Sequence, residues 1–349
     1  MSTKPVLSTV ASALSIIALG APGATACELV KVTEMPLFAL GKHYATSVVL
    51  NDATRPMIVD TGAEVTTLTA RVADEFKLPV DQATEAKPIL GIGQTQAVVH
   101  QNVIAATFGM GDLTFHDRST AVGDMDFGKE PEREAIGLIG DDILSKFDVE
   151  FDFPARKLTF YRTYQCYDSF LPWTGDYAML PFDHHGAKVV VDVMLDQERT
   201  RAIVDTGNNM SFISRRSSAL WYVGDSELLA TRAISSSPLN GGTSSPVKVY
   251  TFETVELGGK TFHQLRMNVV DVEFPLGSAN LGLDYWRTRK LWISYPSNWM
   301  FIADHASPLA YPVLREQPAV DEAKAQPKAP ARQHAARLSD PLALPPPPQ

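Results

Sequence analysis

The sequence predicts an all-β protein of two homologous lobes with a central cleft between them. Three observations carry this reading. The tripeptide Asp-Thr-Gly occurs at residues 60–62 and again at 205–207, each time closing an apolar run, Met57-Ile58-Val59 or Ala202-Ile203-Val204. The segments Gly41 to Gly62 and Gly186 to Gly207 align without a gap and share Val48/Val193, Leu50/Leu195, Ile58/Ile203, Val59/Val204 and the tripeptide. Further on, Gly111–His116 matches Gly258–His263, Leu138-Ile139-Gly140 matches Asn280-Leu281-Gly282, and Phe153-Pro154 matches Tyr295-Pro296. Self-similarity at a nearly constant offset marks a duplicated unit. Within each unit the apolar residues alternate with the period of strands.

Taken in order, residues 30–51 read as strands, most clearly over Tyr44 to Leu50, and Asn51-Asp52 as a turn. Arg55 to Thr61 runs as a strand into the first tripeptide. Val65 to Thr69 is strand-like, and Arg71 to Phe76 fits a short helix stopped before Pro79. Gly91-Ile92-Gly93-Gln94 reads as a hairpin tip. It lacks the third glycine and the following helix of a dinucleotide-binding loop. Val103 to Val122 forms a hairpin turning at Gly109 to Asp112, and Phe127 to Glu134 is a charged loop. Ala135 to Ile139 is a buried strand ending at Gly140, and Asp141 or Asp142 is placed to cap a short helix. Val149–Phe153 and Lys157–Tyr161 pair around Pro154.

Residues 164–182, with Pro172, Gly175 and Pro181, link a first lobe over 27–163 to a second over 183–303. The second lobe repeats the plan. Val189–Leu195 and Arg201–Thr206 are strands, and Asn240-Gly241-Gly242 is the counterpart of the first hairpin tip. Thr251–Val272 is a hairpin, Gly282–Thr288 a short helix, and Leu291–Ile302 the closing hairpin. Each lobe is expected to hold six or seven strands. Residues 304–349 are rich in Ala and Pro and read as a disordered tail that cannot offset its ordering entropy.

With 349 residues, 45% of them hydrophobic, the chain can build two real cores. The net charge of −9 and the lack of any Lys/Arg cluster argue against a nucleic-acid partner. Residues 1–26 read as a signal peptide: Lys4, then an apolar core, then Ala24-Thr25-Ala26 as the cleavage site. No later stretch is long and apolar enough to cross a bilayer, so no integral membrane segment is expected after cleavage. The mature chain would begin at Cys27, an exported one in the periplasm or outside the cell, with lipidation of Cys27 as the rival reading. Cys27 and Cys166 are the chain's two cysteines, and in an exported chain an even count favours a disulfide over free thiols. His116 and His263 recur through the duplication, and His184-His185 reads as a solvated turn. No metal site is expected from them. Trp173, Trp221, Trp286, Trp292 and Trp299 read as core or cleft walls.

The paired Asp-Thr-Gly motifs, each followed after 77 to 80 residues by an apolar-Gly element, resemble those of pepsin/retropepsin-like aspartic peptidases. The resemblance covers about residues 35–303. It implies acid-protease lobes that bring Asp60 and Asp205 together as a catalytic dyad, with no cofactor or metal needed. The physical basis is general. Two facing carboxyls cannot both ionise, so they share a proton, and the pair activates a water while polarising the scissile carbonyl. The resemblance further implies that Thr61 and Thr206 bond across the lobes, and that Gly62 and Gly207 allow close backbone approach. Ala63 fits the loop pattern; Asn208 departs from it, though its amide offers a donor to Asp205. Asn280 replaces an apolar residue in the second lobe. Gly91, Ile92, Gly93 and Gln94 fit the position of a flap that covers a bound peptide. The implied function is an exported aspartic endopeptidase acting as a monomer on peptide or protein substrates. An inactive peptide-binding protein on the same fold is the alternative.

Overall fold

The computed structural model describes residues 27–304, except 90, 92–97, 126, 128–133, 165, 167–170, 232–246, 273 and 275. Strands dominate the described residues, and they form three sheets. The first lobe is a seven-stranded sheet in the order Phe38–Leu40, His43–Leu50, Ala53–Val59, Gly137–Ile139, Thr67–Thr69, Leu113–Gly123, Val103–Met110. His43–Leu50 also pairs with Val103–Met110, which closes the sheet on itself. The second lobe is an eight-stranded sheet in the order Asp183–His185, Lys188–Leu195, Glu198–Val204, Ala279–Leu281, Phe212–Ser214, Lys260–Val270, Val247–Leu257, Leu229–Thr231. It closes the same way, through Lys188–Leu195 and Val247–Leu257.

The sequence explains the elements that matter for the site. His43–Leu50 buries Thr46, Val48 and Leu50 on alternating positions, as a half-buried strand requires. The strands that end at the two tripeptides, Ala53–Val59 and Glu198–Val204, finish in continuous apolar runs. Each is covered on both faces and flanked by a parallel partner, Gly137–Ile139 or Ala279–Leu281. Gly41 and Gly186, the first identities of the repeat, both sit at left-handed φ (59° and 55°) in the turns that enter the next strand.

The third sheet departs from the expectation of two self-contained lobes. It has six strands in the order Glu28–Pro36, Lys157–Tyr164, Asp148–Asp152, Arg289–Ser294, Trp299–Asp304, Ala178–Pro181. The closing hairpins of both lobes lie side by side in it. They meet where Asp148–Asp152 pairs antiparallel with Arg289–Ser294, from Lys290 opposite Asp152 to Ser294 opposite Asp148. The central pair, Glu150 and Trp292, are equivalents under the repeat, so the pseudo-twofold axis passes between them. Ala178–Pro181, inside the segment expected to be a linker, is the edge strand of this sheet and pairs with Trp299–Asp304. One contiguous apolar cluster runs through both lobes and the shared sheet, from Met35 to Ile302.

Several local expectations change. The helix Asp141–Leu144 starts after Gly140 without a side-chain cap, because the Asp142 carboxylate is bound elsewhere. His184-His185 lies in the strand Asp183–His185, and His184 Nε2 meets Asp141 Oδ1 at 2.7 Å. Trp286 and Trp292 are fully buried, whereas Trp221 is 72% exposed and walls nothing. Cys27 and Cys166 form a disulfide with Cα atoms 4.5 Å apart, beside the paired strand ends Glu28 and Tyr164. Residues 305–349, the signal segment and Asn240-Gly241-Gly242 lie outside the described residues.

Candidate active site

Asp60 and Asp205 stand at the ends of their strands, where the parallel neighbours fix the backbone. The Asp60 N–H donates to the Ile139 carbonyl and the Asp205 N–H to the Leu281 carbonyl, each at 3.0 Å. The chain then turns, and each loop bonds its own carboxylate. The Gly62 N–H donates to Asp60 Oδ1 at 2.7 Å, and the Gly207 N–H to Asp205 Oδ1 at 3.0 Å.

The two loops interlock across the axis. Thr61 Oγ1 donates to the Val204 carbonyl at 2.7 Å and accepts from the Thr206 N–H at 3.0 Å. Thr206 Oγ1 donates to the Val59 carbonyl at 2.7 Å and accepts from the Thr61 N–H at 3.1 Å. Both threonines are buried, so all four bonds are made away from water. The glycines make this approach possible. A Cβ on Gly62 would stand 2.5–2.7 Å from the Asp205 carboxyl, and one on Gly207 would collide with the Asp60 carboxyl. Each glycine therefore lies against the other lobe's aspartate.

A second, partly buried layer braces each loop. Asp142 Oδ1 accepts from the N–H and hydroxyl of Thr66 at 2.6 and 2.7 Å, and Thr66 Oγ1 accepts from the Gly140 N–H at 3.2 Å. The second lobe repeats this with Ser211, Asp284 and Gly282 at 2.6–3.0 Å. Sequence reasoning missed these pairs. Their signal was present, since Thr66/Ser211 and Asp142/Asp284 occupy matching places in the repeat.

The two carboxyls face each other within hydrogen-bond reach. Burial, then the facing charge of Asp205, pushes the Asp60 carboxyl up to about 8, against the pull of Lys188. Their surroundings differ. Asp205 Oδ1 also accepts from the Asn208 N–H at 2.9 Å, and Asp205 Oδ2 accepts from Asn280 Nδ2 at 2.7 Å. In the first lobe the Ala63 N–H turns to the backbone carbonyl of Asp60 at 3.2 Å, and Leu138 stands where Asn280 does. Asn208 thus supplies Asp205 with its backbone donor, and the carboxamide that reaches the carboxylate is that of Asn280.

A second pair of basic side chains crosses between the lobes. His43 Nδ1 donates to the Gly207 carbonyl at 2.8 Å, and Lys188 Nζ donates to the Gly62 carbonyl and lies 3.6 Å from Glu64. They occupy the same place in the repeat, two residues after Gly41 and Gly186. Burial holds the His43 imidazole below the usual histidine range, despite the Gly207 carbonyl and the nearby Asp205. Of the expected flap residues, Gly91 is half-buried, and Ile92, Gly93 and Gln94 lie outside the described residues. No cluster of metal-ligating side chains occurs among the described residues. No described helix is long and apolar enough to cross a membrane.

Residues 46–143 match the family model described as Aspartyl protease. That segment holds the first Asp-Thr-Gly loop and its bracing strand. No curated protein matches the chain in sequence. Among solved structures, the chain is similar to the aspartic proteinase from Irpex lacteus, with a TM-score of 0.51 and 16% identity over 82% of this chain and 99% of that one. The segment that carries the first Asp-Thr-Gly loop is thus similar in sequence to aspartyl proteases, and the chain has the two-lobed fold of the Irpex lacteus aspartic proteinase.

Proposed function

We propose that the protein is an exported aspartic endopeptidase that hydrolyses peptide bonds in an extended substrate held between the lobes, with Asp60 and Asp205 as its catalytic pair. The observation that carries this is the interlocked pair of loops. Four buried threonine bonds hold two carboxyls face to face, and burial keeps a proton between them. One carboxylate takes a proton from water while the protonated partner hydrogen-bonds the scissile carbonyl. Rigid loops supply orientation without reorganisation during the reaction. Export is supported by the disulfide at Cys27, directly after the Ala24-Thr25-Ala26 site, because such bonds persist in oxidising compartments. A monomer is supported by the internal duplication, which supplies both halves of the pair from one chain.

Digestion of a denatured protein across pH, with and without a pepstatin-type inhibitor, tests the proposal. Cleavage within the chain, suppressed by the inhibitor and lost in both Asp60→Asn and Asp205→Asn, is the expected result. Full activity in either variant overturns the pairing. Inhibitor binding without cleavage in the wild-type protein would place it with inactive peptide binders.

A further inference from the structure

We infer that Asn280 is a positioning residue: its carboxamide holds Asp205 as the carboxylate of the pair and leaves the shared proton on Asp60. The inference rests on the catalytic pairing proposed above. Its basis is a break in the symmetry of the duplication. Ala279–Leu281 places Asn280 opposite Ile203, and Gly137–Ile139 places Leu138 opposite Ile58. One copy therefore carries a carboxamide beneath its aspartate where the other carries an isobutyl group.

The carboxamide is 1% exposed, and its Nδ2 donates to Asp205 Oδ2 at 2.7 Å. Its Oδ1 is buried and has no hydrogen-bond partner among the described residues. With one end unpaired, the amide is held by its bond to Asp205. The reverse orientation would require a proton on Asp205 Oδ2, so the amide as placed goes with the ionised carboxyl. Asp205 thus accepts from the N–H groups of Gly207, Asn208 and Asn280. Asp60 accepts from Gly62 and has an aliphatic neighbour at the equivalent of Asn280. Hydrogen bonds to the charged form favour it.

Among the described residues, the titratable groups facing the pair include Lys188, with Glu64 beside it, His43 and the buried Tyr295 phenol. Lys188 sits at the Gly62 carbonyl and draws Asp60 toward its ionised form, so the donors on Asp205 must outweigh it. His43 sits at the Gly207 carbonyl, and burial holds its imidazole below the usual histidine range against the pull of that carbonyl and of Asp205.

The roles then follow with protons balanced. Asp205 removes a proton from water as the oxygen bonds the carbonyl carbon, and Asp60 gives its proton to the carbonyl oxygen. On collapse, Asp205 returns its proton to the leaving nitrogen and Asp60 takes one from the diol. Both groups end as they began.

The test is Asn280→Leu, which copies the first lobe. The acidic limb of kcat/KM should move up by about one pH unit, while the basic limb moves less. The donor stabilises the singly and doubly ionised pair alike, so its loss is felt in the first ionisation. A merely structural role would lower activity at every pH without moving the limb. If the Leu variant does not fold, Asn280→Ala carries the same expectation. An unmoved limb in a folded variant overturns the inference while leaving the pairing intact. Carboxyl-carbon NMR of aspartate-labelled protein, assigned with Asp60→Asn and Asp205→Asn, gives a readout that needs no turnover. Asp205 should ionise first in the wild-type protein. Ionisation of Asp60 first overturns the inference, whether or not the protein cleaves peptides.

Discussion

Asp60 binds a proton in the folded protein well above the pH at which the unfolded chain releases it, because burial and the facing Asp205 raise it to about 8. Between roughly pH 4 and pH 8 the native state therefore holds the extra proton, and stability falls as pH rises through that window. Below it both states are protonated and the effect vanishes. Asp60→Asn removes the dependence, so the variant should exceed the wild type in Tm at pH 8, by about 2–4 °C per kcal/mol recovered. The two should converge at pH 3.5. A constant difference across pH contradicts the assignment of the raised group. Tyr295 gives a second expectation. Its hydroxyl is buried with no hydrogen-bond partner among the described residues, and the repeat places Phe153 at the same point of the first lobe. Tyr295→Phe removes an unmet donor, so thermal unfolding should show a gain of about 1 kcal/mol or no change. At this scale the sequence exposed what the two copies share. Asp60, Thr61 and Gly62 were legible because Asp205, Thr206 and Gly207 repeat them. Asn280 stood out as a polar residue in an apolar element, but its bond to Asp205 did not, and His43 against Lys188 was missed because a search for identities passes over positions where the copies diverged.

Loops built as mirror partners fail together. Removing the Thr206 hydroxyl leaves the Thr61 N–H and the Val59 carbonyl unpaired in a buried interface. Thr206→Ala should cost about 2–4 kcal/mol of stability, measured by denaturant unfolding, and should lower kcat more than it raises KM. Thr206→Ser, which keeps the hydroxyl, should recover most of both. Lys188→Met acts differently. It removes the cation that opposes protonation of Asp60, so the basic limb of the pH–rate profile should move to higher pH. Movement to lower pH would contradict that sign. The strands and short helices were legible from alternation and turn residues. The cap of Asp141–Leu144 was misplaced because Asp142 has a stronger claim on it, the N–H and hydroxyl of Thr66, 76 residues away in sequence. Contacts of that range leave no local pattern to read.

For the whole molecule, the duplication announced two lobes but not the sheet they share. Periodicity reports which face of a strand is buried, not which strand lies beside it. The disulfide closes this sheet at its outer edge, tying Cys27 to Cys166 beside paired strands. Replacing both cysteines with Ala should cost about 2–4 kcal/mol, checked by comparing the unfolding of the variant with that of the oxidised protein. The inner seam is held by charge as well as pairing. Lys290 meets Glu150 at 2.8 Å and Asp152 at 3.2 Å, and Tyr161 and Trp173 also bond Glu150. Because the lysine is partly exposed, Lys290→Ala should cost only about 1–2 kcal/mol in an unfolding titration, less at high salt.

That seam also decides with whom each half associates. The strand of the first lobe carries Asp148, Glu150 and Asp152 on one face, and its counterpart carries Lys290, Trp292 and Ser294. Two first lobes from different chains, joined edge to edge about the same axis, would set Glu150 against Glu150 and Asp148 against Asp152. Like charges directly opposite one another are unfavourable on a sheet. Until the second lobe docks, the edge of the first is bare. Its acidic face disfavours pairing with another copy of itself, whereas Lys290 and Trp292 of the same chain complement it.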